Sequence, residues 1–135
     1  PDARRAREEY RVGEGALLSA LRDRVRLVMA VADELGHEKL VLGAFGCGAF
    51  GWDAAVVAEA FRAELAGSAH VAREVTFAVP RGRTDENLEV FEHALATFPE
   101  ANAAPYASRA ERAAAEAERA AADDADEDDD WRQYL

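Results

Sequence analysis

The stretch Leu40-Val41-Leu42-Gly43-Ala44-Phe45-Gly46-Cys47-Gly48-Ala49-Phe50-Gly51-Trp52-Asp53 decides the fold. An apolar run stops in four glycines spread over nine positions, and an amphipathic segment opens past Asp53. That order is a strand, a loop and a helix N-terminus. Backbone N–H groups freed by such a loop, with those of the first helical turn, make a site for phosphate oxygens without any basic side chain.

On the N-terminal side, Leu17, Leu21, Val25, Val28, Ala32 and Leu35 recur at steps of three and four, which marks one face of a helix beginning at Ala16. Gly36 stands where a left-handed residue ends it. Lys39 to Ala44 then forms a first strand, apolar at successive positions as buried parallel strands are. On the C-terminal side, Asp53 caps a second helix carrying Val57, Ala60, Phe61 and Leu65, and Gly67 closes it. Val75-Thr76-Phe77-Ala78-Val79 is the second strand, stopped by Pro80 and Gly82. Thr84 or Asp85 caps a third helix with Leu88, Phe91, Leu95 and Phe98 on one face, and Pro99 ends it. Strand, helix, strand is a βαβ unit, so the fold class is α/β with parallel strands. Two parallel strands under three helices leave both sheet edges open, so the expected architecture is half of a larger α/β domain.

Three regions follow: 1–15 as an exposed lead-in, 16–99 as the folded half-domain, and 100–135 as a linker and an acidic Ala/Glu/Asp-rich tail. Of the net charge of −11 over 135 residues, −6 falls from Ala107 onward. A groove that tracks nucleic acid needs many Lys and Arg to neutralise phosphates, and this balance argues against one. Trp131-Arg132-Gln133-Tyr134-Leu135 closes the tail and is a candidate docking segment. The single cysteine, Cys47, forbids an intrachain disulfide, and no apolar run approaches the ~18 residues a membrane span needs. The expected location is the cytoplasm, with no membrane partner. The chain opens at Pro1 and its only methionine is Met29, which suggests a missing or processed beginning.

Two readings of the loop stand open on the residues themselves. Gly46-Cys47-Gly48-Ala49-Phe50-Gly51 matches G-x-G-x-x-G, the dinucleotide fingerprint, with Arg81 and Arg83 as candidates for a 2′-phosphate in an NAD(P)-binding Rossmann-like fragment. Against it, the glycines begin after the strand's own Gly43-Ala44, and the arginines fall thirty and thirty-two residues past Gly51, later than the usual spacing of about twenty.

The whole string from Leu40 to Gly51, followed by Asp53 and the Val56-Val57-Ala58 helix, resembles the diphosphate-binding loop of microbial-type poly(ADP-ribose) glycohydrolases. In those macrodomain proteins the strand leads into Gly-Ala-Trp-Gly-Cys-Gly-Val-Phe-Gly-Asn-Asp. The resemblance covers roughly Ala16 to Phe98 and implies a three-layer macrodomain fold, here its C-terminal half, with ADP-ribose or poly(ADP-ribose) as ligand and no cofactor. Phe45 replaces the family's Trp, Ala49 its Val, Trp52 its Asn and Ala54 its Pro. Carried over by position, Gly46, Cys47, Gly48, Ala49, Phe50 and Gly51 wrap the diphosphate, with Phe50 against the distal ribose. Asn87 and Phe91 become candidates for the adenine side.

The resemblance also exposes an absence. The family's hydrolysis rests on a Gly-Gly-Gly loop followed by Gln-Glu-Glu, whose glutamate handles the proton at the ribose–ribose bond. This sequence has no Gly-Gly-Gly, and its only glutamine is Gln133. No base stands near Cys47 to make it a nucleophile, and His37, His70 and His93 have no metal-ligand spacing. The expectation is a chain with no catalytic residue and no metal site, inactive by itself. It would turn over ADP-ribose linkages only when completed by a complementary N-terminal half or a homo-oligomer, and otherwise act as a non-enzymatic ADP-ribose reader.

Overall fold

A computed structural model describes residues 2–83 and 86–98, and the single positions 114, 117 and 118. The element order is α1 (Ala3–Glu8), α2 (Glu14–Glu34), β1 (Lys39–Leu42), α3 (Ala54–Gly67), β2 (Glu74–Phe77) and α4 (Asn87–Leu95). The mixed helix and parallel-sheet composition is the α/β class expected.

α2 buries Leu17, Leu21, Val25, Met29 and Ala32, a stripe that tracks the 3.6-residue repeat. Met29 takes the core position expected of Val28, which is only partly buried, and Leu35 stays exposed past the last turn. The helix ends as Gly36 requires. Its φ is +69°, the His37 N–H reaches Ala32 O at 2.9 Å, and the Gly36 N–H reaches Asp33 O at 3.0 Å, the paired bonds of a Schellman motif.

β1 and β2 pair in parallel with Lys39 opposite Glu74 and Leu42 opposite Phe77. Both strands are shorter than their apolar runs, since β1 was expected to reach Ala44 and β2 Val79. The pairing ends where the Ala78 N–H meets Leu42 O at 2.7 Å, because Gly43 and its successors turn into the loop. One sheet face, with Leu40, Leu42, Val75 and Phe77, packs into the core, while Val41 on the other is 74% exposed. Among the described residues each strand has one unpaired edge.

Four phenylalanines carry the core from the loop to the last helix. Phe45 meets Phe61 edge to face at 5.1 Å, Phe61 meets Phe77 at 5.2 Å, and Phe77 meets Phe91 at 5.5 Å. Such pairs add about 0.5–1.5 kcal/mol each beyond burial, and here they fix the loop's first residues to α3. Phe61 and Phe91 are fully enclosed. Buried Arg62 donates from Nε to Ala94 O at 2.9 Å and from Nη2 to Thr97 O at 3.4 Å, holding the end of α4 to α3.

Residues 1–15, expected as an exposed lead-in, are not all exposed. Asp2 caps α1 by accepting from the Arg5 N–H at 2.9 Å, and Ala3 is fully buried in the common core. Composition misleads here because Ala3, a small residue in a charged stretch, is nonetheless buried in the common core. The caps expected at Thr84 or Asp85, and nearly all of the region 100–135 with its aromatic end, lie outside the described residues.

Candidate functional site

The glycine loop leaves the C-terminal end of β1 and returns to α3 through two successive turns. The Cys47 N–H donates to Ala44 O at 3.2 Å, and Gly46 at the third position of that turn has φ +72°, the conformation a type II turn asks of glycine. The Gly51 N–H donates to Gly48 O at 3.0 Å, and the Trp52 N–H returns to Gly46 O at 3.0 Å, closing the loop on itself. These bonds use three of the loop's amides. The N–H groups of Gly46, Gly48, Ala49 and Phe50 donate to no acceptor among the described residues. Unpaired donors clustered in a loop after a parallel strand attract anions.

Side chains hold this shape from inside. Trp52 is 6% exposed, and a Cβ on Gly46 would stand 2.6 Å from its Cδ1. The indole therefore faces inward as the floor of the loop. Leu21, Arg24, Phe45, Gly46, Phe50 and Trp52 line a hollow of about 340 Å³ beside it, mostly apolar with one guanidinium. Phe50 is 53% exposed at its mouth, with a ring free to meet a ligand.

Asp53 changes what the helix contributes. Its Oδ1 accepts from the Ala55 N–H at 2.7 Å and the Val56 N–H at 3.4 Å. The first turn of α3 was expected to add donors to the loop, but its own cap has already taken two of them and set a carboxylate there. The donors left without an internal partner are therefore those of the loop itself.

Cys47 is half-buried, and its Sγ–H lies 3.8 Å from Phe45 O. Burial first, and the nearby Asp53 charge second, push its thiol up to about 11. It stays protonated at neutral pH, as expected of a small packed residue rather than a nucleophile.

The remaining sequence candidates are dispersed. Phe91, raised for the adenine side, is 2% exposed and packed against Phe77, so neither ring face is open to stack on a base. Its place on the apolar face of the third helix, with Leu88 and Leu95, already points to this burial. Asn87 is the first residue of α4 and half-buried. Arg81 lies 4.0 Å from Glu89 of α4. His70 is held in another corner, with Nδ1 donating to Asp33 Oδ2 at 2.8 Å and Nε2 3.8 Å from Glu64 Oε1. Among the described residues no three potential ligands gather around a metal position, and no helix is long and apolar enough to cross a membrane.

Sequence reasoning missed the contact between α1 and the loop. The Arg4 N–H donates to Phe50 O at 3.0 Å, and Arg7 Nη1 donates to Gly51 O at 3.0 Å, across forty-four positions of sequence. No local signal marks such a pairing.

No family model matches the chain, and neither does any curated protein. Solved structures do. The poly(ADP-ribose) glycohydrolase of Deinococcus radiodurans in complex with ADP-ribose is similar at 34% identity and a TM-score of 0.68, covering 74% of this chain and 41% of that one. A second structure of that protein with ADP-ribose gives 36% identity and a TM-score of 0.66 over 71% of this chain and 40% of that one. Its apo form gives 34% and 0.68 over 74% and 42%. The chain therefore spans about two fifths of the length of the glycohydrolase structures it matches.

Proposed function

We propose that this chain, whose fold is that of part of a poly(ADP-ribose) glycohydrolase-like macrodomain, binds ADP-ribose through its glycine loop and does not by itself hydrolyse it. The observation that carries the reading is the set of four unpaired amides at Gly46, Gly48, Ala49 and Phe50. A diphosphate offers several acceptor oxygens to such donors, and the acidic chain needs no cluster of Lys or Arg to receive them. Phe50, exposed beside these amides, would cover a ribose face. Cys47 and Gly51 contribute by shaping the turns, since their own N–H groups bond within the loop.

Hydrolysis of a ribose–ribose bond proceeds through an oxocarbenium-like transition state and needs a carboxylic acid to protonate the leaving oxygen. Asp53, the acid nearest the loop in sequence, is committed to capping α3. The proposed role is therefore retention of the diphosphate, with turnover supplied when a segment bearing the glutamate motif completes the domain. The open sheet favours such completion. Val41 on the uncovered face, Leu27 and Val31 on α2 and Leu35 just past its end are all at least half exposed, and an unpaired parallel pair gains by acquiring strands at its edges.

Isothermal calorimetry with ADP-ribose, AMP and ribose 5-phosphate tests the binding. The expected result is saturable binding of ADP-ribose that weakens when the diphosphate is lost. No binding of ADP-ribose refutes the reading. Incubation with poly(ADP-ribose) should release no ADP-ribose, and release by the purified chain would place a catalytic group in these residues.

A further inference from the structure

The glycine loop carries no charged side chain, so its donors are only as well aimed as its peptide planes. What fixes those planes lies outside the loop. The Phe50 carbonyl accepts from the Arg4 N–H at 3.0 Å, and the Gly51 carbonyl accepts from Arg7 Nη1 at 3.0 Å. A carbonyl and the following N–H belong to one rigid plane and point in opposite directions. Holding Phe50 O thus aims the Gly51 N–H at Gly48 O, and holding Gly51 O aims the Trp52 N–H at Gly46 O. The two bonds that close the loop are set from the far side of the same peptides.

Arg7 is itself held on three sides. Its Nε and Nη2 reach Glu14 Oε1 and Oε2 at 2.6 and 2.9 Å, a bidentate pair with the first residue of α2. Its guanidinium lies 5.8 Å from the Trp52 ring centroid, over the indole that fills the loop. The chain between α1 and α2 folds back as the Val12 N–H bonds Ala6 O at 3.0 Å, and buried Ala3 seats α1 in the core. Gly51 is suited to this approach, because a Cβ there would stand 3.1 Å from Arg4 Cβ and its φ is +68°.

We infer that Arg7 is a positioning residue for the glycine loop, bracing the Gly51 peptide and Trp52 so that the free amides of Gly48, Ala49 and Phe50 are aimed before ligand arrives. The role rests on the diphosphate reading for its consequence, but the brace exists without ligand. Arg7 does not touch the ligand. It acts by sparing the loop the ordering that binding would otherwise require. The Glu14 hydrogen bond raises the affinity of Arg7 for its proton and lowers that of Glu14, as mutual stabilisation of the charged pair requires.

The test compares the full chain with Arg7→Ala, Arg7→Lys and Glu14→Gln, with Arg5→Ala as control. Arg5 pairs with Glu9 at 2.8 Å on the exposed side of α1. In the free protein, amide hydrogen exchange at Gly51 and Trp52 should quicken about tenfold or more in Arg7→Ala, the consequence of losing a hydrogen bond to a charged donor. It should quicken less in Glu14→Gln, which loosens the guanidinium without removing it, and stay unchanged in Arg5→Ala. Exchange in α3 should not move, which separates loss of the brace from loss of the fold. Calorimetry should then give ADP-ribose affinity about tenfold weaker for Arg7→Ala. Arg7→Lys should recover part of it, since an ammonium reaches one carbonyl but cannot form the planar fork. Unchanged exchange at Gly51 and Trp52 in Arg7→Ala overturns the brace. Quickened exchange with unchanged affinity overturns its role in binding. Failure of the unsubstituted chain to bind ADP-ribose overturns the diphosphate reading instead, and the exchange result then decides the brace alone.

Discussion

Three glycine-to-alanine substitutions separate the forces that shape the loop. Gly48 has no atom within 4 Å of a built Cβ and no positive φ, so Gly48→Ala should change stability by no more than about 0.5 kcal/mol, or raise it slightly by narrowing the unfolded ensemble. Gly36 also has open space but a φ of +69°, so alanine there meets backbone strain alone, about 1–2 kcal/mol. Gly46 carries both penalties. Its φ is +72°, and the new methyl would stand 2.6 Å from Trp52 Cδ1, a contact that cannot persist. Moving a buried indole costs a further ~1–3 kcal/mol as overpacking, so Gly46→Ala should lose about 2–5 kcal/mol in all. For a domain of this size each kcal/mol is about 4–8 °C of melting temperature, which makes the order readable by calorimetric melting or urea denaturation. The expected ranking is Gly48→Ala, then Gly36→Ala, then Gly46→Ala as the least stable. Equal loss at Gly36 and Gly46 would show that Trp52 does not occupy the loop, and with it would fall the account of how the indole sets the loop's shape.

Arg62→Met should destabilise by about 1–3 kcal/mol, since two carbonyls at the end of α4 lose a charged donor while the burial of a charge is relieved. Hydrogen exchange after His93 should quicken with it, and unaltered exchange there would refute the clamp. Asp33 supplies the pH test. Its hydrogen bond to His70, and then that from the Val71 N–H, hold its carboxyl below the usual carboxylate range. A folded-state value depressed in this way gives stability that is fully present above the ordinary carboxylate pKa and is lost as pH falls through the lowered folded value. Urea midpoints measured from pH 6 downward should therefore fall more steeply in the unsubstituted chain than in Asp33→Asn below about pH 4. Parallel curves would remove Asp33 from the acid response.

How much was legible in the sequence divides by the range of the interaction. Gly36 as the end of α2 and Asp53 as the cap of α3 each depend on a residue's own φ or on neighbours a few positions away, and both are in place. The α/β class follows from helical apolar stripes alternating with short continuous apolar runs, and these too are local. The loop's place between strand and helix could be read for the same reason.

The sequence by itself thus determined the elements, their order and the position of the glycine loop, because hydrophobic period, capping and glycine conformation act within a turn or two of chain. Only the tertiary structure decided which amides of that loop bond within the described residues and that Trp52 faces inward. It also turned a charged lead-in into the support of the loop, through an arginine and a carbonyl forty-four residues apart. Hydrogen-bond partners and burial across such distances depend on how whole elements pack, and packing leaves no periodic mark in the sequence.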